Sequence, residues 1–185
     1  FAEHFKIRNE FSYSKINLQH YGKWIEKNTI PSKQLQAMRG TTQLINLGFQ
    51  LEFSFKHIHD FEKTIGSFNP YISLGPQVSF YTATATSELG DLGNTITTHP
   101  KYLVPSDGRP QGYSNESKAV FSAALNLGTR YKLTSMSDLM FDIRAQYFGS
   151  DWVDGLNPNE DLFKENKNND WLTFVGLGYI YYFDH

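Results

Sequence analysis

Three sets of residues in this chain combine types and spacings that could do chemistry. In "HIHDFE", His57 and His59 lie one residue apart with Asp60 and Glu62 following. Two imidazoles turned to one side could hold zinc, but a third ligand at metal-site spacing is missing and the stretch reads as a solvated turn. In "SDWVDGLNPNED", Asp151, Asp154, Asn157, Asn159 and Asp161 offer the oxygens that calcium prefers. Their spacing is not that of an EF-hand and the bidentate Glu at the twelfth position is absent, so a turn-rich loop is the expectation. The third set is spread along the chain: Lys6, Arg8, Glu10, Glu52, Arg130, Lys132, Asp142 and Arg144 each stand opposite an apolar neighbour in an alternating segment. Both signs occur, which suits a mutually satisfied ion network. Nucleophile-elbow, H-E-x-x-H and phosphate-loop patterns do not occur. The sequence therefore gives no catalytic residue, no metal site and no cofactor, and the expectation is a protein that is not an enzyme.

Composition narrows the partners. The 185 residues suit a single domain, 1–185, and the formal net charge is -2 from 17 basic and 19 acidic side chains. No basic run exists to neutralise phosphate, so nucleic acid is not expected. Cysteine is absent and aromatics reach 16% at a mean hydropathy of -0.47. No run approaches the roughly 18 to 20 apolar residues of a membrane-spanning helix. The first residue is Phe1 and no leader is visible, so an export signal is expected upstream.

The elements that must position the charges are strands. About six segments alternate with period two. In "FKIRNEFSY", Phe5, Ile7, Phe11 and Tyr13 oppose the charged set. In "TQLINLGFQLEFSF" the apolar odd positions run from Ile45 to Phe55. "FNPYISLGPQVSFY", "AVFSAALNLGTRYKL", "LMFDIRAQYF" and "WLTFVGLGYIYYF" repeat the division. Most run at least ten residues, longer than the roughly 5 to 6 of soluble strands and matching the 9 to 11 of strands tilted across a bilayer. Connections alternate too: long at 17–40, shorter at 56–67, long at 84–117, very short at "TSMSD", long at 150–169.

Together these predict an all-β, antiparallel, up-and-down transmembrane β-barrel of about 8 strands, with about 6 in this chain and a further hairpin upstream. Apolar residues would face lipid and the eight charges a lumen filled by side chains. Rings near strand ends, among them Phe80, Tyr81, Tyr147, Phe148 and Trp171, would form aromatic girdles around an aliphatic band at Leu47, Leu74, Leu125, Ile143 and Val175. Pro70 and Pro76 predict a bulge or a late strand start. Loop residues Tyr21, Trp24, Ile25, Tyr102 and Leu103 are candidate partner contacts.

The ending "GLGYIYYFDH" places Gly178, Tyr181 and Phe183 at a spacing that resembles the C-terminal signal read by barrel-assembly machinery, although His185 departs from it. "QAMRGTTQLINLGFQLEF", "FNPYISLGPQVSFY", "LGTRYKL", "FGSDWVDGLNPN" and "ENKNNDWL" together resemble small outer-membrane barrels of Bacteroidota, similar in layout to the PorG-like barrels of the type IX secretion and gliding apparatus. The resemblance spans about Gln36 to Phe183 and lapses over 84–117. It implies a Gram-negative outer membrane, a cleaved signal peptide and no known active site, and it transfers no functional residue. The expected function is a structural or accessory subunit of an envelope complex, for secretion, gliding or barrel assembly. Its partners would be the lipid bilayer, the assembly machinery and other envelope proteins. The alternative is a small pore or ligand-binding barrel. An enzyme with rim residues such as His99, Asp151 or Asp154 is a third and weaker reading.

Overall fold

The computed structural model describes residues 3–20, 26–104, 108–159, 161–163 and 168–183. Six strands form one antiparallel sheet in chain order, β1 (Phe5–Gln19), β2 (Met38–Ser54), β3 (Phe68–Ser87), β4 (Ser117–Thr134), β5 (Ser137–Phe148) and β6 (Trp171–Tyr181). Each strand pairs with its sequence neighbour, from Phe5↔Phe53 and Gln19↔Arg39 at the two ends of the first ladder to Ser137↔Tyr181 and Tyr147↔Trp171 in the last. The sheet curls into a half-barrel, and β1 and β6 remain its two edges.

Period two sets the faces. Along β3 the even-numbered, apolar-rich positions face out while Asn69, Tyr71, Ser73, Gln77 and Ser79 are buried on the concave side. One residue of slip would exchange these sets, so burial fixes the register. The strands exceed the segments read from sequence: "TATATS" continues β3 to Ser87, with Ala83 and Ala85 buried and the threonines between them exposed. Loop 17–40 likewise shrinks to 20–37, and the final loop begins at Gly149.

Pro76 neither inserts a residue nor delays β3. The pairs Gly48↔Gln77 and Leu51↔Leu74 keep one register, and the ladder only skips the two positions between them. Gly75 makes that continuity feasible: a Cβ there would lie 1.9 Å from the Phe49 carbonyl oxygen, so only glycine admits this approach. The register shift falls instead at Lys132/Thr134, beside the tight β4–β5 turn.

Short helices sit in the connections. α1 (Ile30–Ala37) is capped by Thr29 Oγ1, which accepts from the Ser32 N–H at 3.4 Å, and precedes β2. α2 (Ile58–Lys63) joins β2 to β3, and α3 (Pro100–Leu103) is one turn in the β3–β4 loop.

Candidate functional site: a filled polar interior closed at both ends

Side chains from β1 to β6 stack across the concave face in layers. At the short-turn end, Lys132 Nζ lies 3.1 Å from Asp138 Oδ1, both side chains fully buried, and Tyr182 Oη donates to Asp138 Oδ2 at 2.5 Å. Phe61 of α2 is buried over this pair, with Lys132 Nζ 5.8 Å from its ring centre. In the next layer Arg130 grips Glu52 through two hydrogen bonds of 2.6 Å, and Arg8 Nη1 approaches the same carboxylate at 3.7 Å. The Arg130 guanidinium lies 4.6 Å over the Tyr71 ring, whose hydroxyl donates to Asp142 Oδ2 at 3.3 Å.

The third layer crosses the whole interior. Arg144 of β5 bonds Glu10 of β1 and donates to Gln77 at 2.6 Å, while Gln50 Nε2 donates to Glu10 at 2.7 Å and Gln50 Oε1 accepts from Ser73. The fourth is uncharged: Gln146 donates to Asn46, Ser79 and Ser122 at 3.0, 3.1 and 2.9 Å. Charge-assisted and bidentate bonds of this kind are the strong ones, and they hold the interior rigid.

Above the fourth layer the interior turns apolar. Leu44, Tyr81, Ala83 and Phe148 pack with Trp152 and Val153, and Ile16, Val120 and Leu172 flank them. Tyr81 and Phe148 therefore face inward, not into an outer girdle, because their parity matches Ser79 and Gln146. Trp152 and Val153 come from the long β5–β6 connection, which bends inward. Thr42 Oγ1 donates to the Val153 carbonyl at 2.8 Å, and the Arg109 guanidinium covers the Trp152 ring at 3.8 Å.

The loops lock over this end. Gln34 of α1 donates to the Thr95 and Ile96 carbonyls at 2.7 and 3.0 Å. Ser114 N–H donates to Gly155 O and Asn157 N–H to Gly112 O, at 2.8 and 2.9 Å. Tyr102 is buried beneath them, its hydroxyl 3.3 Å from His20 Nε2, so it is a packing residue of the cap and not the solvent-facing partner contact expected. Leu103 is half-buried, and Tyr21, Trp24 and Ile25 lie outside the described residues.

Compared with protein-family models, characterised proteins and solved structures, the chain matches none.

All eight charges read from sequence line the concave face, and seven of them join ion pairs or hydrogen bonds there; Lys6 is the exception among the described residues. Sequence reading missed Asp138, placed in a turn, although its even number shares the parity of Asp142 and Arg144. The neutral members Asn46, Gln50, Ser79, Ser122, Asn126 and Gln146 stand on the polar side of the alternating segments, although the network read from sequence named only charges. Trp152 and Val153 carried no signal, since no period governs a loop.

The metal-like stretches do not converge. His57 pairs with Glu3 at 3.3 Å and lies beside the His4 ring, while the exposed His59 lies 3.9 Å from Glu62 instead. In the acidic loop, Asp154 Oδ1 accepts from the Leu156 N–H and Asn159 Oδ1 from Asp161 and Leu162, so these side chains cap turns. No group of three His, Cys, Asp or Glu among the described residues could hold a metal ion. Gly178 faces inward against Met140, while Tyr181 and Phe183 stand exposed at the short-turn end.

Two opposed titrations sit in the cap. Burial, with Lys101, His99 and Arg39 nearby, lowers His20 to about 4 and lowers His99 as well. Asp154 is raised well above the usual carboxylate range by burial and by Asp170, and Asp170 is raised by burial although Val153 and Asp154 N–H groups donate to it. A depressed histidine stabilises the fold above its unfolded pKa near 6.5, and this stability drains as pH falls toward 4, about 1–2 kcal/mol after allowance for its partial exposure. The raised carboxyls act oppositely: their contribution is full below about 3.9 and is lost as pH rises through the folded values. Asp154→Asn is therefore expected to raise the melting temperature at pH 8 and leave it unchanged at pH 3.5. Thermal unfolding followed by tryptophan fluorescence across this range checks it; equal shifts at both pH values would refute the buried-pair assignment.

Proposed function

We propose that this chain belongs to a transmembrane β-barrel of about eight strands in a Gram-negative outer membrane. There it serves as a non-enzymatic structural or accessory subunit of an envelope complex. The observation that carries the reading is the inverted distribution of polarity. Ile7 is 77%, Phe121 77% and Leu177 89% exposed on the convex face, whereas Asn46, Gln50 and Asp138 are 0% exposed on the concave one. In water this would expose a continuous apolar belt far larger than monomers tolerate. In a bilayer the belt meets acyl chains and every ladder hydrogen bond stays inside the sheet. No helix among the described residues is long and apolar enough to cross a membrane; in this reading the strands cross it.

The missing part of the ring is a hairpin. Side chains of β1 and β5, four strands apart, touch through Glu10 and Arg144, which is the tight curvature of a ring of about eight strands. Two more strands keep every neighbour antiparallel. The accessory role is supported by the bonded side chains that cross the interior and by the interlocked loops, which present a surface at one end. A small pore is the competing reading, and steady current in planar bilayers would favour it.

Val175 sits at mid-strand on the convex face and is 69% exposed. Val175→Arg is expected to destabilise the bilayer-folded protein by about 2–4 kcal/mol, measured by urea titration in lipid vesicles. A cost under about 0.5 kcal/mol, typical of an ordinary wet surface, would remove the membrane reading. The accessory role is tested by extraction in mild detergent and native gel electrophoresis: migration within a larger assembly is expected, and monomer alone counts against it.

A further inference from the structure

The convex face changes character at one level across four strands. Cross-strand pairing sets Tyr13, Ile45, Phe80 and Ala119 in one row, and the next row toward the cap is Lys15, Gln43, Thr82 and Ser117. Beyond it come Asn17, Thr41 and Thr84, then Gln19, Arg39 and Thr86. On the other side of the first row β2 turns only Leu47, Phe49, Leu51 and Phe53 outward. From Ile45 to Phe53 this apolar run covers about 9 residues, the length of a strand tilted across a bilayer. β2 and β3 have 17 and 20 residues, so their cap ends outrun the apolar belt and carry hydroxyls and amides outward. At the change of character lies a groove of about 330 Å³. The exposed Tyr13, Ile45 and Phe80 border its apolar side, and Gln43, Thr82 and Lys118 its polar side. No carboxylate borders it. Glu116, which precedes β4, is held between Lys118 at 2.8 Å and Arg109 at 3.4 Å, and Arg39 is paired with Glu88 at 2.9 Å. Lys15, exposed on β1 opposite Gln43, has no ion-pair partner among the described residues.

We propose that this groove holds an anionic lipid of the bilayer, its acyl chain on Ile45 and Phe80 and its head-group phosphate at the Lys15 ammonium, with the Gln43 amide and the Thr82 hydroxyl as further donors. The inference rests on the barrel reading and names the lipid chemistry that its cap-end surface selects. The apolar side of the groove is continuous with the belt that meets acyl chains, so its occupant must be an amphiphile. A lysine stem lies along apolar surface while its charge stays in the wet layer, and Tyr13, two residues earlier on the same face, is the kind of amphipathic ring that marks this depth. An anionic head group presents net negative charge there, whereas a zwitterionic one cancels its phosphate with its own ammonium.

The test is urea titration of the protein folded in phosphatidylcholine vesicles with and without phosphatidic acid. Phosphatidic acid is expected to lower the unfolding constant of the parent about fivefold, the effect of one lysine at an anionic surface. Lys15→Gln should lose this response, and Lys33→Gln, exposed on α1 at the same end, should keep it. Equal responses of the parent and Lys15→Gln would overturn the site, and so would loss of the response in Lys33→Gln, which would reduce it to bulk charge. Soluble glycerol phosphate reproducing the effect would overturn a lipid as the occupant. Depth is read separately: the chain has no cysteine, so Val78→Cys and Thr84→Cys, both outward on β3, each take a single fluorophore. Brominated acyl chains should quench the label at the first and spare it at the second. Quenching at both would place Lys15 among acyl chains and overturn the inference. If neither is quenched the barrel reading itself falls, an outcome distinct from correct depths with a lipid response that Lys15→Gln leaves intact.

Discussion

Replacing Glu52 by alanine is expected to lower the unfolding free energy by about 3–5 kcal/mol, the usual cost of removing one partner from a buried ion pair. Glu52 is 1% exposed and is the only carboxylate bonded to Arg130 among the described residues, while Arg8 also leans on it. Without it Arg130 has no bonded carboxylate among the described residues, and Arg8 keeps only Glu10, at 3.8 Å. The loss should not be read as the net worth of the pair. In Glu52→Ala combined with Arg130→Met, no uncompensated Arg130 remains, and much of the stability should return. Urea titrations of the two single variants and the double variant form the cycle that separates these terms. Additive losses would show that the two residues do not act as a pair.

The cap gives the second large effect. Trp152 is buried against Leu44, Tyr81 and Phe148 and is covered by the Arg109 guanidinium. Truncation to alanine leaves a cavity in the apolar cluster that closes the interior, and a loss of about 3 kcal/mol is expected. Because the β5–β6 connection is tied to the β3–β4 loop through Ser114–Gly155 and Gly112–Asn157, the damage should spread to the other loop and expose both to protease. Limited proteolysis of vesicle-bound protein measures this directly. The four polar layers lie beneath the cap and do not depend on it, so Trp152→Ala should remain electrically silent in planar bilayers. A current appearing with this variant alone would mean that the cap, and not the ion network, seals the interior.

The sequence determined the strands and their faces. Alternation in β1, β2, β4, β5 and β6 is regular enough that burial follows residue parity along most of each strand, with breaks at Ser117–Ala119 and Ser137–Asp138, and all eight charges fall on the concave side. This was legible because a strand's side-chain period is two whatever surrounds it. Partners within the interior were not legible. Glu52 meets Arg130 across 78 residues and Glu10 meets Arg144 across 134, and only the curl of the sheet brings such pairs together. Parity could say that Asp138 faced inward, but only three-dimensional packing placed it against Lys132 and Tyr182.

The ends of the molecule were decided by tertiary structure alone. Phe61, Tyr102, Trp152 and Val153 lie in connections, where no periodic constraint distinguishes a residue that folds inward from one left in solvent. Their burial depends on contacts with elements far away in sequence, such as Trp152 on Leu44 and Tyr102 on His20. Local backbone geometry propagates along a strand and can be read from its residues. The closure of a curled sheet by its loops is a long-range event, and it takes the whole fold to specify it.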